Sequence, residues 1–223
     1  MHTTPPPTSP KLLSGLTADQ TKLVLQSAEQ RIFPENRVII RAGERARALF
    51  LLTQGRVKYY RVTQKGEEVL LWWIVKDESF GIGTLLAAPV DYIGTAQTVE
   101  NCELLVWSRD KIRSLGTTAD VLAQNALHIV LHYLAAYTDR LVGLATETAP
   151  QRLAHTLLQL GRRIGKVQPA GVELAIMNDD LAGLANVSTF TASRQLKDWE
   201  RQGIVQKSRG KVFIIAPERL VID

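Results

Sequence analysis

Residues 187–197 read VSTFTASRQLK, and residues 207–211 read KSRGK. The first run interleaves hydroxyls with an arginine and a lysine. The second crowds three cations around one glycine. Arg and Lys neutralise phosphate, and Ser and Thr hydroxyls reach phosphate oxygens or base edges, so the chemistry these residues favour is polyanion binding. Ser188, Thr189, Phe190, Thr191, Ser193, Arg194 and Lys197 are the candidate contacts of the first run. Lys207, Arg209 and Lys211 are those of the second. Other chemistry finds less to work with. His128 and His132 sit at i, i+4, a spacing that can chelate a metal but equally one of polar punctuation that sets helix register; no metal is expected. The single cysteine, Cys102 in NCELLVW, excludes an internal disulfide or a cysteine-held metal cluster within one chain and reads as a core residue. Residues 30–110 contain no histidine, which argues against a cupin-type metalloenzyme. With no Ser-His-Asp order and no phosphate loop, the chain does not read as an enzyme.

Elements must hold these residues in place. In NDDLAGLANVSTFTASRQLKDWERQG (178–203), Asn178 is positioned to cap one helix, with Asp179 and Asp180 in its first turn. LAGLA keeps that helix slim, NVS breaks it, and Ser188 caps the next, about 189–202. Leu196 and Trp199 face the core, and Gly203 ends the helix. IVQKSRGKVFII (204–215) alternates and turns at Arg209-Gly210, a basic hairpin. Two crossed helices and a basic hairpin make a winged helix-turn-helix over 149–223, which puts its second helix in a major groove and its wing on phosphates. Charge agrees. The net charge is +5, and residues 150–223 hold 11 Lys+Arg against 7 Asp+Glu, so this third carries +4 of it.

Upstream the texture differs. MHTTPPPTSPK has no apolar signal core, so secretion is not expected, and the prolines read as a disordered tail over 1–15. LTADQTKLVLQSAEQRI (16–32) reads as a short helix capped by Thr17. From about 33 to 108, short β-branched and aromatic runs are broken at Gly43, Gly55, Gly66, Gly81 and Gly83, the pattern of an antiparallel barrel or sandwich. Residues 118–148 then form one long helix, with Leu127, Leu131, Leu134, Leu141 and Leu144 at roughly helical spacing. Its apolar arc serves two faces. One covers the barrel, and the other wants a second copy, making a homodimer. No apolar run reaches the ~18 residues of a membrane span, and the expected compartment is the cytoplasm.

The order barrel, long helix, QRLAHTLLQLGRR, DDLAGLANVSTFTASRQLKDWERQGIV and wing resembles the Crp/Fnr family of bacterial transcription regulators over nearly the whole chain after residue 15. FGIGTLLA and CELLVW resemble that family's barrel motifs. The resemblance implies an α+β protein: a cyclic-nucleotide-binding-like jelly roll over 16–117, a dimerisation helix over 118–148 and the winged head. It also implies a homodimer on palindromic DNA, RNA polymerase as a further partner, and an effector in the barrel that repositions the heads.

The chain departs from the family at identifiable positions. Ile82 follows Gly81 where cyclic-AMP-binding members place a ribose-binding glutamate, and Tyr92-Ile93 stand where they place an Arg-Ser pair for the phosphate. Tyr137-Thr138 match the polar pair that meets adenine. A buried phosphate needs a cation or a cluster of donors, so cyclic AMP is not expected to bind; an apolar or aromatic effector, haem, or none remain open. No N-terminal cysteine cluster exists for iron–sulfur. On the reading helix, Thr189-Phe190 replace the family's Arg-Glu, while Ser193-Arg194 keep its Ser-Arg. Arg194 suits a guanine edge or a phosphate alike. The alternative function is a ligand-binding or scaffolding module with a degenerate reading helix.

Overall fold

Alternation along two strands explains the first layer of the structure. In the segment ALFLLTQ, Phe50 and Leu52 point one way and Leu49 and Leu51 the other, and all four are buried. Leu104 and Val106 likewise oppose Leu105 and Trp107. A strand apolar on both faces needs cover on both. The computed structural model describes residues 10–220 and shows what provides it. Contacts divide the chain into two compact units, Met1–Ala135 and Ala136–Asp223.

Among the described residues, the first unit holds eight strands: β1 (Glu29–Phe33), β2 (Val38–Ile40), β3 (Ala48–Gln54), β4 (Val57–Val62), β5 (Glu68–Ile74), β6 (Ser79–Phe80), β7 (Thr95–Thr98) and β8 (Cys102–Ser108). They form two antiparallel four-stranded sheets, ordered β1-β8-β3-β6 and β2-β7-β4-β5, the jelly roll. Phe50, Leu52, Val57, Ile74, Phe80 and Leu104 fill its interior, where the Phe50 and Phe80 rings stack at 4.8 Å. Helices cover the other face of the first sheet: α1 (Ala18–Gln26), α2 (Arg109–Arg113) and α3 (Thr117–Thr146), which give Val24, Ile112, Leu122 and Ile129 to a second cluster with Leu49, Leu51 and Trp107. Thr17 and Gln20 close a capping box at the start of α1. The Trp107 indole N–H donates to the Val24 carbonyl at 2.9 Å, tying α1 to β8.

Two expectations change here. The helix expected over 16–32 stops at Gln26, and Glu29–Phe33 pairs as β1 along β8 instead. Backbone pairing with a strand remote in sequence overrides local helix periodicity there. Within residues 10–15, expected in the disordered tail, Lys11–Leu13 make a 3-10 turn with Leu12 and Leu13 buried. Asn125 Nδ2 donates to the Leu12 carbonyl at 2.8 Å and the Ser14 carbonyl at 2.7 Å. The remainder of that tail, residues 1–9, lies outside the described residues.

The second unit takes in the last turns of α3. Then come α4 (Ala149–Ile164), β9 (Lys166–Gln168), β10 (Gly171–Ala175), α5 (Asn178–Ala185), α6 (Thr189–Arg201), β11 (Val205–Ser208) and β12 (Lys211–Ile214). Thr148 and Gln151 form a capping box for α4, with Pro150 in its first turn. The four strands make one sheet in the order β11-β12-β10-β9. β9 has no sequence forecast; KVQ gains its structure from three pairings with β10. No described helix is long and apolar enough to cross a membrane.

Candidate nucleic-acid interface and barrel interior

Helix α6 divides into two stripes. Ala192, Leu196 and Trp199 are buried. Phe190, Arg194 and Lys197 lie exposed on the opposite side, with Phe190 at 77% exposure. A helix this short takes its facing from packing, so the buried stripe fixes what the other presents. Ser188 caps α6 by accepting the Thr191 N–H at 3.0 Å, and its hydroxyl also meets that of Thr191 at 2.8 Å. Thr189 and Ser193 turn toward α5. The Thr189 hydroxyl donates to Asp179 Oδ1 at 2.9 Å, and Asn178 Nδ2 donates to Ser193 Oγ at 3.0 Å. Asn178 therefore does not cap α5. It is the first helical residue, Met177 holds the N-cap position without a side-chain bond, and the Asn178 amide clasps α6. Gly183 is not at the crossing either, since a Cβ there would meet nothing within 4 Å. The small buried residues of α5 are Ala182 and Ala185.

The wing turns at Arg209-Gly210, with Gly210 at φ +71°. Arg209 is exposed. Lys207 donates its backbone N–H to Glu200 Oε1 at 2.8 Å, and the Lys211 ammonium pairs with Glu173 on β10 at 3.0 Å. Of the three wing cations, Lys211 is thus already part-neutralised.

Two arginines fasten this head at the far end of α5. Arg140, on the last turns of α3, donates to the Gly183 carbonyl at 2.6 Å. Arg152 donates to the carbonyls of Ala185 (3.1 Å), Asn186 (3.3 Å) and Glu147 (2.7 Å). Burial pulls the Arg140 guanidinium below its ordinary value, partly offset by the Tyr137 phenol. Burial likewise pushes the Tyr137 hydroxyl up, against the pull of Arg140 and Arg163. Sequence reading did not single out either arginine. Arg152 left a signal: it sits in the first turn of α4, where the helix dipole disfavours a cation, and that turn holds no acid.

The residues expected to form an effector pocket divide among different surroundings. Tyr92 lies in the barrel core at 9% exposure, close by Gly81. Its hydroxyl accepts the N–H groups of Arg47 (3.1 Å) and Ala48 (3.0 Å) and donates to the Ala48 carbonyl (3.1 Å). Gly81 has φ +74°, and a Cβ there would stand 2.5 Å from that carbonyl, so only glycine fits. Ile82 packs on the helical cluster outside the sheet, and Ile93 is 72% exposed. Tyr137 and Thr138 fall in the second unit. The loop 81–93 is pinned by arginines instead. Arg109 donates to the carbonyls of Thr84, Leu86 and Ala87, Arg113 to Ala87, Arg45 to Pro89 and Arg61 to Ile93.

Along α3, Leu127, Leu131, Leu134 and Leu141 are all exposed, joined by Val130 and Val142. Their steps of four, three and seven residues follow a heptad a/d seam. Thr138 falls on that seam between Leu134 and Leu141 and is exposed as well.

The cyclic nucleotide-binding domain family matches residues 30–118, and the Crp-like helix-turn-helix domain family matches residues 151–221. The cyclic AMP receptor protein of Thermus thermophilus is 30% identical over 203 residues, 91% of each chain. The chain belongs to the Crp/Fnr family. Also similar is the CRP-like cAMP-activated global transcriptional regulator of Mycobacterium tuberculosis, at 25% identity over 84% of each chain. The c-di-GMP responsive global regulator CLP of Xanthomonas campestris shares the fold, with a TM-score of 0.76 over 89% of this chain and 99% of that one, at 21% identity. This Crp/Fnr protein is accordingly a bacterial transcription regulator, with a cyclic nucleotide-binding domain and a DNA-binding helix-turn-helix.

Proposed function

We propose that the protein is a homodimer, paired along the α3 leucine seam, that reads a palindromic DNA site with α6 and does so without cyclic AMP. The observation that carries the reading is the exposed stripe of Phe190, Arg194 and Lys197, facing away from Ala192, Leu196 and Trp199. Arg194 supplies a fork for a guanine edge, Phe190 an apolar face for a thymine methyl, and Lys197, Lys207 and Arg209 supply cations for phosphate. Ser188 and Thr191 present hydroxyls beside the positive end of α6. Thr189 and Ser193 hold α6 on α5. RNA polymerase is the proposed further partner, and the cytoplasm the proposed compartment.

The cyclic AMP part of the proposal rests on the barrel. Ile82 and Ile93 occupy the positions that the family resemblance assigns to charged and polar partners, and one of them faces solvent. Tyr92 spends its hydroxyl on the backbone. The relatives named for cyclic AMP pull the other way, so the nucleotide itself is the test. Calorimetry with cyclic AMP should show no binding, and DNA titrations with and without it should coincide. A dissociation constant of about 1 µM, or a gain of about tenfold in DNA affinity, overturns this part.

A second reading is a scaffold with a degenerate reading helix. The commitment of the Thr189 and Ser193 side chains to α5 favours it. Salt-dependent retention on DNA separates the two. A selection that returned the family's usual TGTGA-like half-site would refute the role of Phe190 in base reading.

A further inference from the structure

The two guanidiniums at the end of α5 do more than cap it. A helix leaves its last carbonyls without intrahelical partners, and cationic donors there satisfy both the hydrogen bonds and the dipole. In α5 those carbonyls receive side chains from outside the α5–α6 pair. Gly183 is held by Arg140, which belongs to α3. Ala185 and Asn186 are held by Arg152, which also grips the Glu147 carbonyl in the link between α3 and α4. Asn186 adopts the left-handed conformation that turns the chain toward α6, at φ +49°. The Asn186 N–H returns to the same Gly183 carbonyl at 3.2 Å. The turn that aims α6 is therefore fastened to the last turns of α3 and to the link that follows them. None of these contacts touches a residue proposed to meet DNA.

We propose that Arg140 is a positioning residue for DNA reading, which, with Arg152, clamps the α5–α6 turn to the end of α3 and so fixes the spacing at which a dimer offers its two reading helices. This rests on the dimeric DNA-binding reading above. The geometry sets the consequences. The clamp acts on the direction of α6 and leaves the side chains that meet bases unchanged, so half-site sequence preference should survive its loss. Discrimination between half-site spacings should not. One inserted base pair moves the half-sites apart by about 3.4 Å and turns them by about 34–36°, a change that a clamped pair of heads rejects and a loosened pair follows.

The test measures DNA affinity of the full chain for a selected palindrome and for versions with one base pair inserted or removed at the centre. It uses wild type, Arg140→Ala and Arg140→Lys, with dimer mass and thermal transition checked for each. Arg140→Ala should weaken binding at the best spacing by roughly tenfold, the lower end of what a charge-assisted hydrogen bond is worth, and should flatten the spacing profile. Arg140→Lys, which keeps a donor and the charge, should fall between the two and carries the test if the alanine variant does not fold. Salt slope and half-site preference should match wild type in both. An unchanged spacing profile in folded, dimeric variants overturns the proposal, as does a uniform loss at every spacing, the mark of a merely structural role. A wild type that binds the palindrome as a monomer, or ignores spacing, defeats the dimeric reading itself and the clamp with it.

Discussion

Arg209 and Lys211 stand two residues apart in one hairpin, yet their surroundings separate them. Arg209 is exposed, whereas Lys211 is held at 3.0 Å by Glu173. A cation that meets phosphate releases counterions, and each such contact contributes about 0.9 to the slope of log affinity against log salt on duplex DNA. Arg209→Ala should lower the slope by about that amount. Lys211→Ala should lower it less, because the ammonium must first leave a carboxylate; equal losses from salt titrations of both variants would contradict this. Tyr92 makes a second case at this scale. Its hydroxyl serves two backbone N–H groups and one carbonyl in the barrel core. Tyr92→Phe leaves those groups without that partner, at a cost of roughly 1–3 kcal/mol in denaturant unfolding. A change within a few tenths of a kcal/mol would mean the hydroxyl is not needed to hold the loop.

Helix α5 shows how packing reassigns a sequence signal. The run LAGLA suggests a slim helix, and within it Leu181, Ala182 and Ala185 are the buried residues, while Gly183 faces open space. Glycine within a helix costs about 0.8–1.0 kcal/mol relative to alanine. Gly183→Ala should therefore raise thermal stability by up to about that amount, with DNA affinity retained. A loss of stability would place a neighbour where the structure has none. Helix α6 is the contrasting case. Its cap at Ser188 and its buried Ala192, Leu196 and Trp199 agree, so local and tertiary preferences choose the same facing.

Across the whole molecule, one helix carries two kinds of apolar residue. Leu122, Ala126 and Ile129 are buried within their own chain, while Leu127, Leu131, Leu134 and Leu141 are exposed along a seam. Exposed leucines in heptad register are the expected face of a helix pair. Leu134→Glu would bury an unpaired charge in that pair. The variant should sediment as a monomer at micromolar concentration and lose palindrome binding, while keeping the folded spectrum of the monomer. A wild-type chain that is itself monomeric there would remove the premise. The same register places Thr138 on the seam, where a polar residue helps select alignment at some expense of stability.

The order of parts is legible in the residues alone: short glycine-punctuated strands, one long helix, then two short helices and a basic hairpin. So are the caps at Thr17 and Ser188 and the buried stripe of α6, because periodicity and capping act over three or four residues and are written locally. What depends on partners far along the chain came only with folding. Glu29–Phe33 became a strand because β8 was there to pair with it. Ile93 faced outward and Ile82 packed on the helices, directions that aligned positions do not fix. Arg140 and Arg152 look like ordinary helix-surface cations until the α5 carbonyls are brought beside them. A side chain's direction is settled by which elements close around it, and that information is distributed over the whole chain.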